Sequence, residues 1–387
     1  MTSAAQAIPV ARPWLGEEEA AAARRAILSG WVTQGPEVLA FEREFASTVG
    51  AAHACAVSSC TTALHLALIA IGVDPGDEVV TVSHSFIATA NAIRYCGAVP
   101  VFVDIDLDTF NVDAGLIDAA CTSRTRAILC VHQLGMPCDL AAVVAIGRRR
   151  GIPVVEDAAC AIGSEIQWDG AWEAIGRPRG AVACFSFHPR KLVSTGDGGM
   201  LTTADPAIDR QFRLLRQHGM SVPDTVRHTS TTVLAEQYPV VGYNYRMTDI
   251  QAAIGREQLK RLPEMIRRRR QLAARYADLL GGMEGIIVPR EPVWARSNWQ
   301  SYAVRLAAGL QQSAVMQDML DAGISTRRGV MNAHRERAYA DEPSRMPAAL
   351  TRSEQAQDTA LILPLYHQMT ESDQDRVVAA LRQATRN

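Results

Sequence analysis

The first two-thirds of the chain alternates short apolar, β-prone runs with stretches of helical periodicity. The runs lie near 53–58, 78–83, 99–105, 125–132, 151–156, 182–187 and 199–203, and helical stretches at 61–72, 87–96, 113–121 and 139–150 separate several of them. Two parallel strands need a long crossover, usually a helix, whereas antiparallel neighbours need only a tight turn. The pattern therefore predicts an α/β fold with a mostly parallel seven-stranded sheet, covered on both faces. In such sheets ligands bind beyond the carboxyl ends of the strands. The residues that follow each run are the ones to read for chemistry.

Near residue 255 the pattern changes. Residues 256–281 read as a long helix with Leu259, Leu262, Ile266, Ala273, Ala277 and Leu280 on roughly one side, kinked or partly started by Pro263. A strand-like SYAVRLA (301–307), further helical segments and an amphipathic helix around 371–384 follow. This predicts a large domain over 1–255 and a smaller α+β domain over 256–387, as the length of 387 residues also favours. There is no internal repeat and no low-complexity tract.

The charge balance, 39 basic against 41 acidic residues, gives no field that would favour nucleic acid or an anionic membrane. The run Arg267 to Arg270 would point all round a helix, so it reads as a solvated face. The longest apolar stretch, Ala63 to Val73, is too short to span a bilayer. Three glutamates, Glu17 to Glu19, arrive early in a chain whose start lacks an apolar signal core. Eight scattered cysteines without a CxxC pair fit reduced thiols and argue against zinc. A cytoplasmic protein without a metal site is expected.

Only two lysines occur, Lys191 and Lys260, so 39 minus 2 leaves 37 arginines. Where arginine has replaced lysine almost everywhere, a surviving lysine invites a reason. Arginine stays protonated, whereas a lysine amine can lose its proton and form a Schiff base. Lys260 sits in the polar helical stretch REQLKRLPEM and reads as a surface residue. Lys191 lies in FSFHPRKLVSTGDGG, between an apolar run and a glycine-rich turn.

Pyridoxal-phosphate (PLP) chemistry needs an amine, an acid beside the pyridine nitrogen, a flat group over the ring and a phosphate cradle. Each has a candidate after a predicted strand. In GIPVVEDAACAIG the strand delivers Glu156 and Asp157 among small residues, and alternation lets only one of them face a ligand. Asp157 is the candidate acid, a strand-ending Asx turn the alternative. In SSCTTALHLAL (58–68) Ser59, Thr61 and Thr62 precede a helix whose free N–H groups could hold a dianion, with N-capping as the plain alternative. Ser186 adds a hydroxyl near Lys191. Phe86, in SHSFIATANAI, could stack on a ring or simply be core.

SGWVTQGPEV (29–38), SSCTTALHLAL, SHSFIATANA, VVEDAACAIG, FSFHPRKLVSTGDGGM, GYNYRMTDIQAAIG (242–255) and LPLYHQMT (363–370) resemble the DegT/DnrJ/EryC1/StrS family of sugar aminotransferases. The resemblance runs from about residue 8 to the C-terminus. It implies a type I PLP-dependent transferase fold, working as a homodimer with shared active sites. By resemblance Lys191 carries the cofactor, Asp157 partners the pyridinium and Phe86 stacks. Thr61, Thr62 and Ser186 hold the phosphate, and Asn244 reaches it from the neighbouring subunit. Ser59, Cys60 and Ala159 complete the expected cofactor contacts. Trp31, His188, Arg246, Arg327, Arg328, His334 and Tyr339 are candidate substrate contacts. Of these Arg246 could meet the donor's carboxylate or form an interface salt bridge, and Arg327 or Arg328 could hold a pyrophosphate or remain surface arginines.

Two positions depart from the family's pattern. Cys160 stands where many relatives carry a Gln that touches the cofactor's phenolic oxygen. STRRGVMNAHRERAY (325–339) stands where many carry an HYxPxH-like segment. The reaction implied is a two-stage transfer, with pyridoxamine phosphate as intermediate, from an amino acid (L-glutamate first) to a keto-sugar. A nucleotide-linked 4-keto-6-deoxy sugar is the first expectation, with a 3-keto sugar or a cyclitol ketone behind it. Lys191 argues against the dehydratase branch, in which histidine replaces the lysine. No marked cysteine supports desulfuration, and intact Lys191 and Asp157 argue against a non-catalytic homologue.

Overall fold

The computed structural model describes residues 7–386, so the first six residues of the expected large domain and the final Asn387 lie outside it. The chain opens with helices α1 (Glu17–Ser29) and α2 (Pro36–Val49) and continues β1 (His53–Val57), α3 (Cys60–Ala70), β2 (Glu78–Val82), α4 (Ala88–Tyr95), β3 (Val99–Val103), α5 (Ala114–Ala120), β4 (Thr125–Val131), α6 (Leu140–Arg150) and β5 (Val154–Asp157). A hairpin of β6 (Glu165–Trp168) and β7 (Ala171–Ala174) precedes β8 (Val182–Ser186), β9 (Gly199–Thr203), α7 (Pro206–Leu215) and α8 (Asp224–Thr229). The long helix α9 (Asp249–Leu280) leads into β10 (Ile286–Ile287), β11 (Ala295–Arg296), β12 (Tyr302–Leu306), α10 (Gln312–Asp321), β13 (Arg327–Arg328), α11 (Thr351–Thr359), β14 (Ala360–Leu363) and α12 (Glu371–Ala384).

All seven expected runs form one sheet, in the order β1-β9-β8-β5-β4-β2-β3. Its pairings are parallel except those of β9, which runs antiparallel to both β1 and β8. The inner strands are apolar on both faces because helices cover both, leaving β2 buried at all five positions. A second, antiparallel sheet, β10-β12-β14-β13, carries the smaller core of Tyr276, Tyr302, Val304, Leu361, Leu363 and Leu381.

The two cores meet along α9. This helix begins at Asp249, seven residues before the expected start, and runs through Pro263 as one helix of 32 residues. It thus crosses the expected boundary at 255 unbroken. Gly255 lies inside it, where Phe41 fills the glycine's empty face: a Cβ there would come within 2.6 Å of the Phe41 ring. Thr248 and Gln251 form the capping box that starts the helix. Asp249 also receives the N–H groups of Gly35 (2.7 Å), Glu37 (3.1 Å) and Val38 (3.0 Å), capping α2 across the fold. The N-terminal segment crosses to the smaller core as well, where Ile8 pairs with Ile324.

A buried ion cluster ties α2, β1 and α7. Glu42 accepts from the Ala56 N–H (2.9 Å) and from Arg216, which also donates to the Ala56 carbonyl (2.7 Å). Arg213 donates to Glu42 (2.7 Å) and to the Ala54 carbonyl (2.8 Å). Burial raises the Glu42 carboxyl, but the two arginines more than reverse this and hold it below the usual range. Its contribution is therefore present above the ordinary glutamate pKa and lost as pH falls through the depressed one. Glu42→Ala would leave Arg216 buried without its anion and is expected to cost about 3–5 kcal/mol in urea unfolding. A loss below about 1 kcal/mol would refute a structural role for the cluster.

Candidate active site

Strand alternation separates the two carboxylates at the end of β5. Glu156 turns to one face, where it meets His132 Nε2 at 3.1 Å and the Gly180 N–H at 3.3 Å. His132 Nδ1 accepts from the Cys138 N–H (3.1 Å), so its own proton sits on Nε2, toward Glu156. Asp157 turns to the opposite face. Its Oδ2 accepts from Thr89 Oγ1 (2.7 Å), itself bonded to Ser85 Oγ (2.7 Å). Its Oδ1 accepts from the Ala159 N–H (3.1 Å), an Asx turn, so both sequence readings of Asp157 hold at once. Burial is the largest influence on this carboxyl and raises its pKa; Thr89, the Ala159 N–H and nearby Lys191 work in the other direction. A cation beside it would restore the charged form.

Lys191 lies on the loop between β8 and β9, which closes through backbone bonds from Phe187 to Gly198 (2.9 Å) and from Thr195 to Phe187 (3.0 Å). The Lys191 N–H donates to the His188 carbonyl (2.8 Å), and Nζ donates to Cys160 Sγ at 2.9 Å. Burial disfavours its ammonium, but Cys160, Cys60 and Asp157 outweigh burial and raise its pKa. His188, by contrast, is pushed down by burial and by Arg190 and Lys191.

The start of α3 lies beyond the carboxyl end of β1. Ser59 caps it: its Oγ accepts from the Thr62 N–H (3.2 Å), and Thr62 Oγ1 accepts in return from the Ser59 N–H (3.1 Å). The capping reading is thus correct for Ser59 and Thr62, whose oxygens are engaged with the helix itself. The first-turn N–H groups of Cys60 and Thr61 have no intrahelical acceptor by position and are free to meet an anion. Close packing fixes this turn, since a Cβ on Gly199 of β9 would come within 2.4 Å of the Ser59 carbonyl oxygen. Ser186 ends β8, its Oγ accepting from the His188 N–H (3.4 Å). Phe86, beyond β2, is 63% exposed, which favours a stacking surface over core.

Three contributors lacked an assignment in the sequence. Thr89 holds Asp157; its signal is its place one turn after Phe86 at the start of α4. Asn298 Nδ2 donates to the carbonyls of Cys160 (2.8 Å) and Ile162 (2.9 Å), while Gln300 Nε2 donates to the Arg190 carbonyl. Arg269 of α9 corrects the reading of its arginine run as solvated: it is buried and binds the carbonyls of Trp299 (3.0 Å) and Gln300 (3.1 Å), which its neighbours in sequence do not reveal. The polar run SNWQ before SYAVRLA was the only trace of this brace.

The candidate substrate residues are more scattered. Trp31 packs edge-on against His228, ring centroids 5.3 Å apart. The 243–247 segment runs along the end of β1, where the Ser58 N–H donates to the Tyr245 carbonyl (2.9 Å) and Arg246 bridges to Val57. Asn244 is exposed on that segment. His334 reaches the end of β2: its N–H donates to Ser83 Oγ (3.0 Å), which pairs with Nδ1 (2.7 Å), and its Nε2 meets Glu354 at 3.1 Å. Tyr339 is buried against Phe102 and donates to Asn91 (2.9 Å), a packing role. Arg327 and Arg328 are exposed on β13, at the edge of the small sheet, where Arg328 pairs with Glu336 at 3.3 Å.

An amine, a buried carboxylate, first-turn N–H groups and an exposed ring thus stand at the ends of four strands of one sheet, and they fit PLP. Comparison with known proteins agrees. The model of the DegT/DnrJ/EryC1/StrS aminotransferase family matches residues 13–382. The spore coat polysaccharide biosynthesis protein SpsC of Bacillus subtilis (strain 168) is 38% identical over 379 residues, 97% of this chain and 96% of that protein. The crystal structure of the aminotransferase TlmJ from Streptoalloteichus hindustanus is similar with a TM-score of 0.88 at 37% identity, covering 97% of this chain and 98% of that one. DesV of S. venezuelae, solved in complex with a ketimine intermediate, gives 0.87 at 32% identity over 99% of both chains. The chain belongs to the DegT/DnrJ/EryC1/StrS family and is a PLP-dependent aminotransferase.

Proposed function

We propose that this enzyme moves an amino group from L-glutamate to a nucleotide-linked 4-keto-6-deoxy sugar, in the cytoplasm, for polysaccharide or natural-product biosynthesis. The observation that carries the reading is the meeting of Lys191 and Asp157, beyond the adjacent strands β8 and β5, with the open N-terminal turn of α3 beside them. The relation to a spore coat polysaccharide biosynthesis protein supports the pathway class.

When bound, PLP supplies an electrophilic carbon and a ring that accepts the electron pair released at the donor's alpha carbon. Lys191 Nζ would anchor the cofactor through its amine and, once free, would move a proton at the donor's alpha carbon. Asp157, held by Thr89 and the Ala159 N–H, keeps the pyridine nitrogen protonated. Phe86 covers the ring. The N–H groups of Cys60 and Thr61, with Ser186, hold the phosphate. Asn244 completes that cradle in the partner subunit of a homodimer, for which its exposure leaves it available. Trp31, His188, Arg246 and His334 line the substrate side, Arg246 meeting the donor's carboxylate. Strand alternation turns Arg327 and Arg328 to opposite faces of β13, so one or the other, not both, would offer its guanidinium to a pyrophosphate.

In the PLP-loaded protein, adding L-glutamate is expected to bleach the visible band of the lysine-bound cofactor. Lys191→Arg should lack that band and lose turnover by at least roughly 10²–10⁴-fold, although charge is kept. Transamination by Lys191→Arg less than about 10²-fold below the wild type would refute the assignment, and a band indifferent to glutamate would refute the donor.

With the keto-sugar nucleotide, the double variant Arg327→Ala/Arg328→Ala should raise KM about 10- to 100-fold with kcat little changed, the loss of one or two charged hydrogen bonds made equally in ground and transition states. An unchanged KM in steady-state kinetics would remove both arginines from the site.

A further inference from the structure

Six of the eight free cysteines are buried; only Cys121 and Cys160 are partly accessible. Burial pushes the thiols of Cys55 and Cys96 up to about 12, which leaves them protonated and unreactive. Cys160 differs in its neighbour, because its Sγ lies 2.9 Å from Lys191 Nζ. Both residues are held by one short loop: Asn298 binds the Cys160 carbonyl, and Gln300 binds the carbonyl of Arg190, next to Lys191. The Asn298 Oδ1 in turn accepts from the Gln300 N–H (2.8 Å). A shared brace, itself tied to buried Arg269, keeps sulfur and nitrogen at contact distance.

We propose that Cys160 and Lys191 are a peroxide-sensitive pair that joins covalently through a sulfur–nitrogen bond whenever the lysine amine is free. The co-reactant is hydrogen peroxide. In the first step the Cys160 sulfur attacks peroxide, the O–O bond breaks, and sulfur gains a hydroxyl while its proton leaves in one water. In the second step the Lys191 nitrogen lone pair attacks that sulfur. The S–O bond breaks, and the hydroxide departs with an amine proton as a second water. Sulfur is oxidised by two electrons and the peroxide is reduced. A dithiol reverses the change: one thiolate attacks the sulfur and releases the amine, and the second resolves the mixed disulfide.

The surroundings favour the second step. Cys160 is the foremost group raising the Lys191 pKa against burial. Oxidation to a sulfenic acid makes that sulfur electrophilic within reach of the amine, and burial favours the amine's neutral, nucleophilic form. The consequence for catalysis rests on Lys191 being the cofactor lysine, as proposed above; the covalent change does not. It would lock the enzyme against cofactor until reduced.

The test treats the full chain, freed of PLP, with near-stoichiometric hydrogen peroxide and reads intact mass and a peptide map. Loss of two hydrogens, a peptide joining residues 160 and 191, and recovery with dithiothreitol are expected. Cys160→Ala should show no such loss, and prior loading with PLP should protect the wild type. Oxygen gained at Cys160 without the joined peptide would overturn the proposal. So would no change at a dose that oxidises Cys121, or a mass loss that survives in Cys160→Ala. If the joined peptide forms yet PLP still binds with its visible band, the covalent pair stands and the cofactor-lysine assignment falls.

Discussion

Two adjacent carboxylates lie near the centre of the sheet, at the end of β5, and burying an unpaired charge there would cost several kcal/mol. The fold answers by giving each its own face and its own donors. Glu156 takes His132 and the Gly180 N–H on one side, whereas Asp157 takes Thr89 and the Ala159 N–H on the other. The surrounding elements follow from this division. His132 must end β4 with its Nε2 proton aimed inward, a tautomer that the Cys138 N–H fixes. Helix α4 must begin where Thr89 reaches Asp157. What remains is a held carboxyl facing the lysine loop, which a cationic ring nitrogen would keep in its charged form.

The second constraint is that the smaller core helps to hold the lysine loop. The 298–300 loop touches the backbone of Cys160 and Arg190, and Arg269 on α9 fixes the loop from behind. The lysine therefore depends on residues about 100 positions away in sequence. α9 serves both cores, with Leu259 and Leu262 in the first and Leu272, Tyr276 and Leu280 in the second. No helix among the described residues is long and apolar enough to cross a membrane.

Much of this was legible in the chain itself. The seven apolar runs became the seven strands, and the helices between them stand within a few residues of their expected bounds. Periodicity sufficed because each run is buried on both faces and so carries a continuous apolar signal. The expected start of α9 lay seven residues too late; Phe41, 214 residues earlier in the chain, packs on Gly255 and lets the helix run through it. Ser59 and Thr62 could be read as caps or as ligands, and hydrogen-bond accounting shows that their oxygens cap the helix while the N–H groups of Cys60 and Thr61 stay open. Tyr339 looked like a site residue by neighbourhood and is a packed one, because Phe102 of β3 and Asn91 of α4 meet it there.

The sequence by itself determined the fold class and the cofactor, and offered Lys191 and the Glu156–Asp157 pair as candidates, because these rest on local signals: strand period, family motifs, and a lysine in a chain of arginines. Only the tertiary structure decided which of two adjacent carboxylates faces the lysine, that Cys160 touches its amine, and that Asn298 and Gln300 brace them both. Those are contacts between segments distant in the chain. Their geometry is set by how helices and strands pack, and that packing leaves no periodic mark on the residues that meet.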